Sequence, residues 1–144
     1  MERLRAMKEA EPEIFAAAIK ELPETLVSLE ARLGVSLPEP VRWFWLECGS
    51  GLSSAAPSAA MSIEATERFR RAAGLPAQFL VLDERGDAGA VLLDTASEAG
   101  AVRWVDTHAA HRLATGELAR HEYDQYSAFS DWVAYCVGEA RDAL

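Results

Sequence analysis

The chain reads as one α+β domain with N-terminal helices, a central antiparallel β-meander and a closing C-terminal amphipathic helix. Three observations predict this. Up to Ala73 the apolar residues recur at helical spacing between proline starts and glycine stops. From Phe79 they gather into short runs divided by polar, glycine-marked turns. From Ser127 the helical spacing returns. Helices, a meander, and a helix whose apolar stripe needs a surface to cover make an α+β arrangement. The 144 residues suit a single core, and no repeat, low-complexity tract or linker divides them, so residues 1–144 form one domain.

The first twenty residues read as a helix in which Ile14, Ala17 and Ala18 follow Pro12, an early helical position for a proline. Pro23 opens a clearer helix with Leu22, Leu26, Leu29 and Leu33 in one stripe, and Gly34 suits a left-handed C-cap. Pro38 and Pro40 fit the first turn of the next helix, where a missing N–H costs nothing. Its stripe is Val41, Phe44, Trp45 and Cys48. Trp43 and Leu46 lie off that stripe, so this helix is apolar round most of its circumference. Residues 50–60 form a loop without chemistry. Ile63 to Ala73 is a further helix ended by Gly74 and Pro76, and its Arg68, Arg70 and Arg71, diluted by Glu64 and Glu67, make a solvated face.

Phe79–Leu82 and Ala90–Leu93 are strands joined by a hairpin turn over residues 83–89. Ala101 to Val105 is a third strand after a turn near Gly100, and Tyr123 and Tyr126 mark a fourth. In the last helix Ser127 stands at the cap. Phe129, Trp132, Val133, Cys136, Val137 and Ala140 form its stripe.

Composition excludes several classes. Half the residues are hydrophobic and 26% charged, too apolar for disorder. No apolar run nears the ~18 residues of a membrane span, and residues 1–30 do not read as a secretory signal. The net charge of −9 would repel a phosphate backbone, so no direct nucleic-acid ligand is expected. Two cysteines 88 positions apart make no disulfide framework. A cytoplasmic location is expected. The charge is uneven: residues 1–72 hold 9 Lys/Arg and 11 Asp/Glu, a difference of −2, and residues 73–144 hold 5 and 12, a difference of −7. That imbalance reads first as a contribution to solubility, and second as a surface that selects a basic partner.

The run Leu29-Glu30-Ala31-Arg32-Leu33-Gly34-Val35-Ser36-Leu37-Pro38, followed by a Trp/Phe-rich helix ending in Gly49-Ser50-Gly51, resembles the opening of SUKH (Smi/Knr-type) domains. Residues Val81 to Asp94 resemble that superfamily's hairpin, Val102-Arg103-Trp104 its next strand, and Ser127-Ala128-Phe129 with Trp132-Val133 the start of its closing helix. The likeness spans roughly residues 22–137, with the four pieces in the family's order. It departs where the family's Asn-Gly-Gly turn meets Cys48 or Gly49. The resemblance implies a binding module and no catalyst: a bacterial immunity protein that neutralises a cognate polymorphic toxin of interbacterial competition, a nuclease or other effector. Fungal relatives imply the alternative of a regulatory protein-binding scaffold. The expected footprint is acidic, formed by Asp83, Glu84, Asp87, Asp94 and Glu98, with Trp43 and Trp104 as anchor candidates. By its pattern each tryptophan reads first as a core residue and only second as an anchor. No cofactor is expected, and the chain is expected to be a monomer or weak homodimer.

Catalytic readings are weaker. His108 and His111 could bring two imidazoles to a metal on a helix, with Glu117, His121, Glu122 and Asp124 nearby, but a strand would point them to opposite faces. Cys48 and Cys136 both fall on inward stripes, where a thiol packs as a small hydrophobe. Gly-rich phosphate loops and nucleophile elbows are absent from the sequence. The loop of Asp83, Gly86, Asp87 and Gly89 lacks calcium-loop spacing. No metal site is therefore assigned.

Overall fold

A computed structural model of the chain describes residues 1–50, 55–84, 89–105 and 124–143. It has the expected α+β order: α1 (Glu2–Ala10), α2 (Pro12–Phe15), α3 (Pro23–Leu33), α4 (Glu39–Glu47), α5 (Ala59–Ala73), β1 (Phe79–Glu84), β2 (Ala90–Asp94), β3 (Val102–Val105), β4 (Asp124–Tyr126) and α6 (Phe129–Asp142). The strands form one antiparallel sheet in the order β1-β2-β3-β4, a meander. β1 carries a bulge, since Val81 faces Leu92 while Asp83 already faces Val91.

Both faces of the sheet are covered. Leu80, Leu82, Val91, Leu93 and Val102 point into the main core, which α1–α4 and α6 complete. Phe79, Val81, Ala90, Leu92 and Val105 point the other way, against Ala65 and Phe69 of α5 and Leu75. Two-sided burial explains why β1 and β2 are apolar runs without alternation. The main core centres on aromatic packing. Phe44 meets Phe15 and Phe129 edge-on at 6.3 and 5.4 Å.

Several expectations change in detail. The first helix stops at Ala10, and Pro12 opens a separate single turn, because a proline inside a helix clashes with the preceding turn. Leu22 is 59% exposed, so the α3 stripe begins at Leu26. Ser127 does not cap α6: Ala128 holds that position and makes no side-chain cap. The first-turn N–H of Phe129 is taken by the Ala99 carbonyl at 2.9 Å. Gly34 and Gly74 end α3 and α5 in the left-handed conformation as expected.

The segment after α4 is held from several sides. Gly49 has φ +90°, and a Cβ there would lie 2.2 Å from the Ile19 carbonyl, so the turn requires glycine. That approach lets Ile19 and Ser50 exchange backbone hydrogen bonds at 2.8 and 2.9 Å. The carboxylate of Glu21 accepts the Ala59 N–H at 2.8 Å, on the first residue of α5. The loop expected to be chemically bland is pinned by two buried indoles. Trp45 donates to the Pro57 carbonyl at 2.8 Å and Trp132 to that of Ala55 at 3.0 Å.

Glu30 joins α3 to α4, accepting the Leu37 N–H at 2.8 Å and pairing with Arg42 at 2.5 Å. Burial raises its pKa, but the Arg42 and Leu37 donors outweigh burial and hold the carboxyl below its ordinary value. A lowered folded-state pKa gives stability that is present above the ordinary carboxylate range and lost as pH falls through the folded value. Glu30→Gln should therefore cost about 1–2 kcal/mol at pH 7 in urea unfolding. The deficit should shrink as the pH falls below about 4.

Candidate functional site

The sheet edge at β1 would expose backbone donors and acceptors, a template for unwanted pairing. Helix α5 closes it. Ser62 and Thr66, one turn apart on α5 and fully buried, face Val81 from its open side. The Ser62 hydroxyl donates to the Val81 carbonyl at 2.8 Å, and the Val81 N–H donates to the Thr66 hydroxyl at 2.9 Å. This clamp fixes α5 along β1 and leaves a groove between them toward the end of the β1–β2 hairpin.

The groove encloses about 180 Å³. It is lined by Val81 to Glu84 of β1 and by Pro57, Met61, Glu64, Ala65 and Arg68 on the helix side, with the Val81 and Leu82 side chains themselves buried on opposite faces of the sheet. Met61 is 65% exposed, one of several large apolar side chains that face solvent, with Ile19 and Val27 among the others. Arg68 spans the rim. It donates to Glu64 at 3.0 and 3.2 Å, and to both oxygens of Glu84, one at 2.9 Å. The guanidinium holds Glu64 below its ordinary carboxylate value. Among the described lining residues three carboxylates stand beside one guanidinium, and Asp83 has an interaction partner of its own. On the other flank of α5 a groove of about 210 Å³ is lined by Arg32, Arg71, Glu64 and Glu67 among others, two charges of each sign. There Arg32 donates twice to Glu67, at 3.1 and 2.8 Å. Of these two grooves, the one on the β1 side sets carboxylates beside the exposed Met61 side chain.

The acidic footprint expected from the sequence divides in two. Asp83 and Glu84 stand at the hairpin end of β1, whereas Asp94 faces Phe79 at the opposite end of the sheet. Five residues of strand separate the two ends, about 17 Å. Asp94 leaves the footprint altogether. It is 8% exposed, and its carboxylate accepts from the Ala96 N–H at 3.0 Å and from Gln78 at 3.1 Å, closing the turn after β2. Arg103, at 3.8 Å from Asp94 and stacked over Phe79, adds to that internal network. Glu98 is exposed at this same far end. Asp87 lies outside the described residues.

The two tryptophans do not share a site. Trp43 is half-buried on α4, with the guanidinium of Arg5 over its ring at 5.8 Å. Trp104 faces Val91 across β2–β3 and packs partly on the main core. Cys48 and Cys136 are buried and unbridged. Burial pushes the Cys48 thiol up to about 11, so it stays protonated at neutral pH. His108, His111, Glu117, His121 and Glu122 lie outside the described residues, as does the side chain of Asp124. Among the described residues no three His, Cys, Asp or Glu converge to hold a metal ion. No described helix is long and apolar enough to cross a membrane.

Sequence reasoning misses Met61, Glu64 and Arg68 as a unit, because the arginines read as a solvated face. The i,i+4 spacing of Glu64 and Arg68 is a usable signal, and so is that of Ser62 and Thr66 on an apolar stripe. No protein-family model matches the chain, and no curated protein matches it significantly.

The clamp yields an asymmetric expectation. Thr66→Val keeps the shape but leaves the buried Val81 N–H without an acceptor, and should cost about 1–3 kcal/mol in urea unfolding. Ser62→Ala should cost less, because a carbonyl tolerates a missing donor better than an N–H tolerates a missing acceptor. Equal costs would contradict the assignment of the clamp.

Proposed function

We propose that the protein is a cytoplasmic immunity protein of SUKH type, a binding module that neutralises a basic toxin by covering its active site. The observation that carries this reading is the acid-lined groove between α5 and the hairpin end of β1, with the exposed Met61 beside it. Its chemistry suits protein more than metabolite, because pockets for small molecules run to ~300–1,000 Å³. An acidic edge can enter a cleft that a nuclease uses for phosphates, and opposite potentials speed such encounters. The sequence resemblance to SUKH domains supports the same reading, and the α+β order of elements accords with it. Catalysis has no part in the proposal. Binding is stoichiometric, with a few buried anchors setting affinity and the carboxylates setting rate and choice of partner.

The test begins with capture from the native host, using tagged full-length protein. One basic effector recovered near one-to-one is the expected result. Recovery of an endogenous regulator instead would favour the scaffold alternative, and recovery of the bare protein would count against both. With the captured partner, the pair Asp83→Lys and Glu84→Lys shifts the net charge from −9 to −5. Association should slow about tenfold at low salt, with a flatter salt dependence. Glu98→Lys, at the far end of the sheet, should leave the association rate nearly unchanged. A double reversal that leaves the rate unchanged would refute the acidic contact.

A further inference from the structure

We infer that α1 is a releasable strap, which leaves the seam between α4 and α6 as a unit while the rest of the fold stays intact. Its apolar hold is small. Of the 9 residues of α1 only Leu4 is buried, and Met7 packs partly on the main core. A helix this short is marginal in water without packing. The anchors around Leu4 are polar. Arg3 pairs with Asp131 in the first turn of α6, and Glu11, just past the end of α1, pairs with Arg141 in the last. The strap therefore runs alongside α6 in the same direction, tied at both ends. On its other flank the Arg5 guanidinium lies over the Trp43 ring at 5.8 Å. The Lys8 ammonium donates to the Glu47 carbonyl at 2.9 Å, at the C-terminal end of α4. Every basic residue of α1 is thus turned onto the rest of the protein.

Such ties are weak and respond to salt. The side chains of Arg3 and Arg141 are 55% and 60% accessible, and exposed ion pairs gain little, because holding two long side chains in one geometry costs them freedom and salt screens the charges. The chain also supplies a place for the opening to stop. Pro12 has no N–H to carry the helix of α1 on into α2, and Glu11 between them is out of helical geometry. Beyond this hinge the chain is fastened separately. Phe15 is buried edge-on against Phe44, and Ile19 and Ser50 exchange backbone hydrogen bonds. Release thus unwinds residues 1–11 and leaves α2, the sheet and the α5–β1 groove in place. Openings of this local kind lie well below global unfolding in free energy. What the strap controls is access to the seam: Trp43, half-buried beneath Arg5 in the closed state, and the seat of Leu4 are bared when it leaves.

Native-state hydrogen exchange of the isotope-labelled full chain, read by NMR, tests the strap without any partner. After correction for intrinsic rates, the amides of residues 6–10 should share one opening and exchange about tenfold or more faster than those of Val91 and Leu92 in β2. The amides of Phe44 and Trp45 in α4 should stay protected while α1 opens. Raising sodium chloride from about 0.05 M to 0.5 M should speed exchange in α1 about threefold or more, with β2 nearly unchanged. Leu4→Ala should speed it about tenfold or more. If that variant also loosens β2, the surface pair Arg3→Gln with Arg141→Gln decides. It should speed α1 about threefold, leave β2 unchanged and weaken the response to salt. Exchange in α1 as slow as in β2, no protection of α1 at all, or a salt response shared equally by both would overturn the proposal.

Discussion

Two hydroxyls on α5 and one peptide unit on β1 determine how the second layer of this protein is built. A four-stranded meander has two edge strands, here β1 and β4, and β1 is the one along which α5 lies. Ser62 and Thr66 give the Val81 carbonyl and N–H the partners that a further strand would otherwise supply. The bonds lie in a dry setting, where an unmade hydrogen bond is costly and a satisfied one fixes position. They set the rotation of α5, and with it which residues of that helix face water. Ala65 and Phe69 turn toward Phe79, Val81 and Leu92, and the ridge of Met61, Glu64 and Arg68 is left outward beside the hairpin end.

The candidate site follows from that geometry. Met61 is exposed because its side of α5 overhangs the end of β1, where burial gives way from Leu82 to Glu84. Negative charge collects there because Asp83 and Glu84 continue the strand past the covered part of the sheet, while α5 contributes Glu64. Arg68 joins Glu64 to Glu84 across the rim. The acid at the opposite end of the sheet serves the fold instead, since Asp94 is turned inward to close a turn, with Arg103 and Gln78 beside it. Carboxylates of similar appearance in the sequence thus serve one structural and one outward-facing purpose. Burial separates them.

Much of the fold is legible in the residues. Leu26, Leu29 and Leu33 announce α3, Gly34 and Gly74 its stop and that of α5, and the unbroken apolar runs of β1 and β2 their two-sided burial. The departures have local causes. Pro12 ends the first helix at Ala10 and opens a separate turn, a break that the spacing of Ile14 and Ala18 does not reveal. Leu22 fits the α3 spacing but precedes the first turn and faces solvent. Ser127 has capping chemistry, yet the chain enters α6 one residue later and uses a backbone carbonyl for the first turn. The site is less legible, because it depends on contacts distant in sequence. The register of the hairpin decides that Asp83 and Asp94 stand at opposite ends, and the approach of α5 decides that Arg68 meets Glu84, sixteen positions away. Neither is written in a local pattern.

On the proposed function, the partner meets the protein at the α5–β1 groove. Hydrogen–deuterium exchange of the full chain, alone and in complex with the partner captured from its host, tests that claim most directly. Slowed exchange is predicted in residues 57–68 and 79–84, with the amides of α1 and α3 unchanged. Protection confined to α1, α3 or the Asp94–Gly100 turn, with α5 and β1 unaffected, would contradict it.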